Sequence, residues 1–472
     1  MKPDQTEPNL LFPTVRAAFT YLENFTNFEK RSAEPGEYRL DRMSALLEIC
    51  GKPQDACPAI HIAGSKGKGS TAHFCGAILH QGHYRVGIYA SPHLSDYRER
   101  ICSPTGFYSD LCYISVISQV RRLVEKLDID QNWQFGEPST FELLTLTAYL
   151  VFAREKVQWM IIETGLGGRL DATNLMHPRA CLITALELEH TDVLGNTIEE
   201  ITREKAGIFR KNTFLLTQEQ NPRALEELLL AAQRLNTPLL GPGFIQTDNP
   251  EPDRAKAIFR IWLPKRMIYM DISVKLSARG AFQQRNAEIA ARCLALLWDD
   301  GQLPEIPNLE SLSEAIRNGL AQTGIMGRLQ SFTRVRQNLI QEIFLDGAHT
   351  PRSAELVGDY FQAKTTDILL FGCVSGKLHE QMASILASGF GKIIISTPGS
   401  FKKSDPTAVA AAFNLHNSQT ILVKDPKQAL ETVLVWLDAH PQGRGLVCGS
   451  FYMAGAILPY LLSAGFIPEG KI

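Results

Sequence analysis

Residues 59–70 read AIHIAGSKGKGS, and the fold is decided here. Ile60, His61, Ile62 and Ala63 form a short apolar run that stops at Gly64. Gly64, Gly67 and Gly69 are then interleaved with Ser65, Lys66 and Lys68, and from Ser70 and Thr71 an apolar helical pattern begins. The pattern predicts a strand, a glycine-rich turn and a helix start. In that geometry backbone N–H groups converge on the turn and the helix N-terminus adds partial positive charge, so a polyphosphate fits. Lys68 stands where the lysine of G-x-x-x-x-G-K-[ST] stands, although the glycine spacing is shorter and Gly69 separates Lys68 from Ser70. A plain strand–helix turn is the competing reading.

Outward from this stretch, apolar runs at 85–90, 157–162, 180–186 and 213–217 read as strands. Helical periodicity at 108–128, 138–156, 197–207 and 221–235 separates them, and helices at 14–25 and 37–50 precede them. Near-continuous apolar strands alternating with helices predict a parallel sheet covered on both faces. Residues 241–257, rich in Gly, Pro, Asp and Asn, read as an excursion before β-rich runs at 258–263 and 267–276. Helices follow at 281–299 and 309–321. The stretch QTGIMGRLQ at 322–330 reads as a domain joint, because two glycines interrupt the pattern. Beyond it, strands at 340–345, 367–372, 391–396, 419–423 and 444–448 alternate with helices, forming a second, smaller α/β unit. The expected domains are 1–325 and 326–472.

A chain of 472 residues is too long for one ordinary core. With 44% hydrophobic and 21% charged residues it reads as soluble and globular, and a net charge of −2 gives no field favouring nucleic acid or an anionic membrane. The nine cysteines are scattered without a C-x-x-C, which argues against both a disulfide framework and a zinc site. No apolar run reaches membrane-spanning length and residues 1–13 lack a signal-peptide core, so a cytoplasmic location is expected.

In open α/β sheets ligands bind outside the carboxyl ends of the strands. The first strand delivers Gly64–Ser70, the second Ser91, Pro92 and His93, the third Glu163 and the Gly165–Gly168 turn, the fourth Glu187, Glu189, His190 and Asp192. A phosphate cradle beside carboxylate and hydroxyl oxygens implies Mg²⁺, and the imidazole makes Mn²⁺ a tolerated substitute. Each residue also has an ordinary reading. Glu163 can cap a turn, Asp171, Thr173 and Asn174 can be turn chemistry, His190 can sit in a surface ion pair, and Lys205 can be a solvated helix lysine. Their joint placement at successive strand ends favours function.

Taken in order, IHIAGSKGKGS, YASPHL with ERI, ETGLGGRLDATN, EHTDVLG, REKAGIFRK, MGRLQ and DGAHTP resemble the folylpolyglutamate synthases, with the pattern nearest to the bifunctional dihydrofolate synthase/folylpolyglutamate synthases of the Mur ligase superfamily. The resemblance implies an α/β chain with a P-loop-type, mostly parallel sheet in an ATP-binding N-terminal domain and a smaller Rossmann-like C-terminal glutamate-ligase domain. It implies ATP-dependent ligation of L-glutamate to dihydropteroate or to the tail of a reduced folate through an acyl phosphate, by a monomer. It assigns Gly64, Ser65, Lys66, Gly67, Lys68, Gly69 and Ser70 to the phosphates. Ser91 and Glu163 resemble ligands of one Mg²⁺. His190 and a carbamylated Lys205 resemble ligands of a second. Asn286 matches an asparagine near the adenine, and Arg328, Asp346 and His349 match residues that reach the nucleotide when the domains close. Lys68, His190 and Lys205 carry the catalytic roles in this reading.

The sequence departs from the family pattern at Lys66 (commonly asparagine), Glu189 (aspartate), Phe282 (histidine) and Thr350 (asparagine), which bears on the adenine contacts and the second metal site. Alternatives are a synthase restricted to one of the two ligations, another amino-acid ligase of the superfamily, and a nucleotide-binding protein without turnover. The second is disfavoured because only about 60 residues precede Gly64, too few for a further substrate domain.

Overall fold

The structure, a computed structural model, describes residues 10–28, 37–129, 133–247, 256–336, 338–399 and 402–469. Strands β1 (Ala59–Ala63), β2 (Val86–Tyr89), β3 (Ile101–Cys102), β4 (Trp159–Glu163), β5 (Ala180–Ile183), β6 (Phe214–Thr217) and β7 (Leu239–Leu240) form one sheet in the order β3-β2-β4-β1-β5-β6-β7. Every pairing is parallel except β2 with β3. β1 is central, with Ile62 level with Glu163 on one side and with Leu182 on the other.

Every residue of β1, β4 and β5 is buried, which explains why their sequences do not alternate. The two faces are nonetheless distinct. Ile60, Ile62 and Ile161 pack toward the helices Lys68–Gln81, Ala281–Asp299 and Leu309–Gln322. Ala59, Met160 and Ile162 pack toward the helices Val15–Glu23, Asp41–Ile49, Asp110–Ile129 and Thr140–Arg154. The two-residue period of a strand thus sorts neighbouring apolar residues into two cores.

Part of the excursion at 241–257 is strand. β8 (Phe244–Thr247), β9 (Ala257–Leu263) and β10 (Ile268–Val274) form an antiparallel sheet, and residues 248–255 lie outside the described residues. β9 alternates along its length and β10 from Tyr269 onward, with Phe259, Ile261, Leu263, Met270 and Ile272 inward. That face covers the helix Ala281–Asp299 on the side away from the first sheet, which is why this helix is buried nearly all round.

The second sheet contains β11 (Gln330–Arg336), β12 (Leu339–Leu345), β13 (Ile368–Phe371), β14 (Lys392–Ile395), β15 (Thr420–Leu422), β16 (Arg444–Cys448) and β17 (Ile467–Pro468), in the order β15-β14-β13-β16-β12-β11-β17. Five strands are parallel, as alternation of strand and helix predicts. The antiparallel strands β11 and β17 are corrections to the expected pattern. β11 begins within the anticipated joint and pairs with β12 as a hairpin; Asn338, at φ +62°, supplies the turn. Its outer half is exposed, so no apolar run announces it. The helix expected from 376 starts at His379, because Gly376 (φ +82°) first turns the chain and leaves Ser375 and Lys377 at the end of β13.

Candidate active site

The two sheets point the carboxyl ends of their strands at each other across a cavity of about 1590 Å³. The first sheet contributes Ser65–Ser70, Ser91, Glu163, Glu189, His190 and Lys205. The second contributes Arg328, His349, Lys377, Lys402, Lys403 and Tyr452.

The phosphate loop is shaped by its glycines and by β5. The Ser65 and Lys66 N–H groups donate to the Ala185 carbonyl, and the Ser65 hydroxyl donates to the Glu187 carbonyl. Gly64 (φ +150°) passes so close to Thr184 that a Cβ would sit 1.9 Å from its hydroxyl oxygen. Gly67 takes φ +90° and caps the helix Lys68–Gln81 with no side-chain acceptor, so the first N–H groups of that helix remain available to an anion.

Two lysines converge beneath this loop. Lys68 Nζ and Lys205 Nζ both donate to the Gly64 carbonyl, at 3.0 and 2.9 Å. Lys205 also donates to Glu189 Oε1 at 3.0 Å, and Lys66 Nζ lies 3.7 Å from Glu189 Oε2. Lys205 is 2% exposed, and burial lowers its ammonium to about 8 despite the opposing Glu189 carboxylate, with Lys68 and Lys66 adding to the fall. Burial works against the charged form of Glu189, but Lys205, Lys68 and Lys66 together outweigh it and hold the carboxyl at about 2.

The GLGGRLDATN and EKAG motifs position Lys205 by packing against each other. A Cβ on Gly168 would lie 2.8 Å from the Lys205 carbonyl oxygen, and one on Gly207 would lie 2.5 Å from Arg169 Cα. The Arg169 N–H donates to the Glu204 carbonyl and its guanidinium pairs with the Glu204 carboxylate. Asp171 holds the turn, accepting from the Gly165 and Leu166 N–H groups on one oxygen and from Thr173 N–H and hydroxyl on the other. The Thr173 proton is thereby committed to Asp171, so its oxygen accepts from His61 Nε2–H at 2.9 Å. Asn174 bridges the Arg169 and Gly207 carbonyls. Asp171, Thr173 and Asn174 are therefore turn chemistry, and that turn presents Lys205.

Glu163 is 3% exposed at the end of β4. Its Oε2 accepts from the Ser91 N–H at 3.0 Å, and its Oε1 lies 3.9 Å from Lys68 Nζ. Burial raises its carboxyl, opposed first by Lys68 and then by the Ser91 N–H and by Arg328. Gly69 lets the helix start approach, since a Cβ there would be 3.2 Å from Glu163 Oε2. A buried carboxylate and a serine beside an anion cradle are a donor set of hard oxygens that fits one Mg²⁺, with phosphate oxygens completing its shell. Unmodified Lys205 does not fit a second cation: its ammonium already occupies the space between Gly64 and Glu189. Among the described residues no group of three His, Cys, Asp or Glu side chains gathers as a metal site. His190 is solvent-reachable at φ +49°, and loss of hydration lowers its imidazole, leaving a neutral ring at neutral pH.

In the second domain, Arg328 stacks its guanidinium 4.3 Å from the Phe451 ring centre. His349 donates from Nδ1 to the Gly347 carbonyl at 2.9 Å, which turns a bare Nε2 outward, and burial holds the ring neutral down to about 3. Asp346 and Asn286 do not line the cavity. Asp346 is buried and accepts from the Leu329 and Ala348 N–H groups, fastening MGRL to DGAH. Asn286 is buried behind Gly67, whose Cβ would lie 2.3 Å from its Oδ1, and it bonds Gln218 and Gln283. Gly64 also lies behind the lining.

Several lining residues were not assigned to the site from the sequence. Arg100 is buried and donates from Nε to His93 Nδ1 at 2.8 Å. Lys377, Lys402 and Lys403 follow the ends of β13 and β14, so the strand-end rule alone finds them once the second sheet is drawn.

Residues 327–451 match the Mur ligase, glutamate ligase domain family. The chain is similar to the dihydrofolate synthase/folylpolyglutamate synthase of Bacillus subtilis, with 30% identity over 441 residues covering 91% of this chain and 95% of that protein. The chain belongs to the dihydrofolate synthase/folylpolyglutamate synthase family. The folylpolyglutamate synthase of Lacticaseibacillus casei is 29% identical over 94% of this chain and 97% of its own. The crystal structure of the Thermotoga maritima folylpolyglutamate synthase superposes with a TM-score of 0.78 at 26% identity, covering 95% of this chain and 97% of that one. The Mycobacterium tuberculosis folylpolyglutamate synthase complexed with ADP and AMPPCP superposes at 0.77 with 25% identity over 90% and 95%. The resemblance read from the motifs, and the two-sheet Mur ligase fold it implied, are both borne out. Among the described residues no helix of this family member is long and apolar enough to cross a membrane.

Proposed function

We infer that the chain is an ATP-dependent amide-forming ligase that adds L-glutamate to folates. The observation that carries the reading is the convergence on one cavity of a phosphate loop, a buried Glu163 and, from the opposing sheet, Arg328, His349 and three lysines. A carboxylate oxygen of dihydropteroate or of a reduced folate's terminal glutamate attacks the γ-phosphorus of ATP. ADP leaves and an acyl phosphate forms. The amino group of L-glutamate then attacks the acyl carbon, loses a proton, and phosphate departs.

Such phosphoryl transfer needs positioning and charge neutralisation above all. The N–H groups of Ser65–Ser70 and the Lys68 ammonium hold the phosphates, with Lys66 beside them. Arg328 approaches from the other domain as a fixed charged fork. Asn286 and Asp346 act one layer back, Asn286 by supporting Gly67 next to the nucleotide and Asp346 by setting the Arg328 backbone. The two carboxylates of L-glutamate face Lys377, Lys402 and Lys403. Ser91 and Glu163 would hold one Mg²⁺, which lowers the charge on the γ-phosphate.

A second Mg²⁺ requires chemistry at Lys205. The neutral amine adds to CO₂, one proton is lost, and an N-carboxylate replaces the ammonium. That anion and His190 would then hold the second Mg²⁺. In this reading the domains are 1–325 and 326–472, the protein is a cytoplasmic monomer, and Mn²⁺ substitutes for Mg²⁺.

A paired assay tests the function: dihydropteroate or tetrahydrofolate, each with L-glutamate and ATP, followed by product mass. Turnover of both substrates identifies a bifunctional enzyme, and turnover of one identifies a single-step synthase. ATP binding without product from either overturns the reading.

A further inference from the structure

The segment after β2 carries Ser91 into the cavity and then leaves its own domain. Ser91 is tied to the first sheet through its N–H on Glu163 Oε2. Three residues later Leu94, 8% exposed, belongs to the apolar core of the second domain, with Phe332, Leu345, Met453 and Ala454. Two glycines make its socket. A Cβ on Gly455 would come within 2.0 Å of the Leu94 carbonyl oxygen, and one on Gly327 would lie 3.2 Å from Leu94 Cδ1. The far side of the segment is stiffened by Glu99, whose carboxylate accepts from the Leu94, Ser95 and Asp96 N–H groups. Gly327 immediately precedes Arg328, whose guanidinium lies on Phe451, and Phe451 in turn packs against the same core. One short segment therefore has its first residue on the buried carboxylate of one domain and its fourth in the core of the other.

We propose that Leu94 is a positioning residue: seated between Gly327 and Gly455, it couples docking of the C-terminal domain to the placement of Ser91 on Glu163 and of Arg328 across from them. Three residue steps separate Ser91 from Leu94, and even a fully extended chain would reach only about 11 Å over them, so the two anchors cannot move apart beyond that tether and a displacement of the second domain is carried to Ser91. Nucleotide binding by the loop Gly64–Ser70 does not need this link; assembly of the two halves around the γ-phosphate does. The kinetic consequence rests on the ligase reading, while the mechanical link does not.

Hydrogen exchange with the non-hydrolysable analogue AMPPCP separates the two. In the wild type the analogue slows exchange both at 64–70 and at 326–330. In Leu94→Ala and Gly455→Ala it slows exchange at 64–70 only. In turnover, both variants lose kcat by about tenfold or more while the KM for ATP stays within about threefold, and Leu94→Met recovers most of the loss. Protection at both segments in Leu94→Ala, or an unchanged kcat, overturns the proposal. So does loss of protection at 64–70 as well, which would mark Leu94 as merely structural. If the wild type turns over no folate substrate, the ligase reading fails and the exchange comparison still decides the role of Leu94.

Discussion

Lys205 Nζ and Glu189 Oε1 lie 3.0 Å apart beneath the phosphate loop, in a pair that is almost wholly buried on the lysine side. The pair is asymmetric. Glu189 is held firmly ionised, whereas burial leaves Lys205 the weaker partner, its ammonium lowered to about 8. At pH 7 roughly one Lys205 in ten is then a neutral amine, against fewer than one in a thousand for a free lysine. Only the neutral amine reacts with CO₂, and this larger neutral fraction supports the proposed carbamylation of Lys205. With ¹³C-bicarbonate, a carbamate signal is expected in the nucleotide-bound wild type and absent in Lys205→Met. It should strengthen as pH rises through 8. An unmodified amine in ATP-bound, bicarbonate-supplied protein ends the proposal.

Glu163 supplies a buried charge at the end of β4 that the proposed binding of ADP by the loop 64–70 does not require. Glu163→Gln keeps the shape and the contact with the Ser91 N–H but removes the charge. ATP turnover is expected to fall by about 100-fold or more, with ADP affinity changed far less. Calorimetric titration with ADP beside a phosphate-release assay checks both, and equal losses in the two would refute the assignment.

The contact between the two glycine motifs is a stability prediction. Gly207→Ala places a methyl 2.5 Å from Arg169 Cα and Cβ, where neither backbone can yield. A loss of about 1–3 kcal/mol is expected from urea unfolding, together with reduced activity because Lys205 lies two residues away. Gly106→Ala is the control for space, since nothing lies within 4 Å of a Cβ there, although its φ of +121° carries its own strain.

Acid should weaken this protein earlier than its carboxylates would suggest. Burial lowers His61 and His349 to about 3 and His73 to about 4, against 6.5 when unfolded. For a depressed group the folded state binds fewer protons than the unfolded one between the two values. Its stabilisation is therefore complete above pH 6.5 and is lost as pH falls toward 3 or 4. Each such histidine contributes a slope of up to about 1.4 kcal/mol per pH unit in that window. Urea midpoints at pH 7 and pH 5 should differ visibly, and His61→Gln should flatten the slope. Identical unfolding free energies at the two pH values would rule this out.

Much of the site was legible because strand ends are legible. Where an apolar run stops at Gly64, Glu163 or the Glu187–Asp192 stretch, a parallel sheet must place those residues on one edge, and the structure does so. Arg100 falls inside the ERI motif, yet its place in the cavity was not legible, because only the folded chain sends it inward while Arg98 pairs on the surface with Asp96 and Asp110. β11 was missed for a related reason: half of it faces water, so its pairing with β12 carries the information that its own pattern lacks.

By itself, the sequence determined the α/β class, the alternation of the parallel strands with helices, the glycine-rich loop and the family, since these follow from local periodicity and from motifs whose residues are neighbours in the chain. Tertiary structure alone decided three things. It buried Lys205 against Gly64 and Glu189, it set Asn286 and Asp346 behind the cavity wall, and it drove Leu94 from one domain into the core of the other. Each depends on how close two distant backbones can come. For Lys205 that distance is set by packing at Gly168 and Gly207, for Asn286 at Gly67 and for Leu94 at Gly455, and no local pattern encodes it.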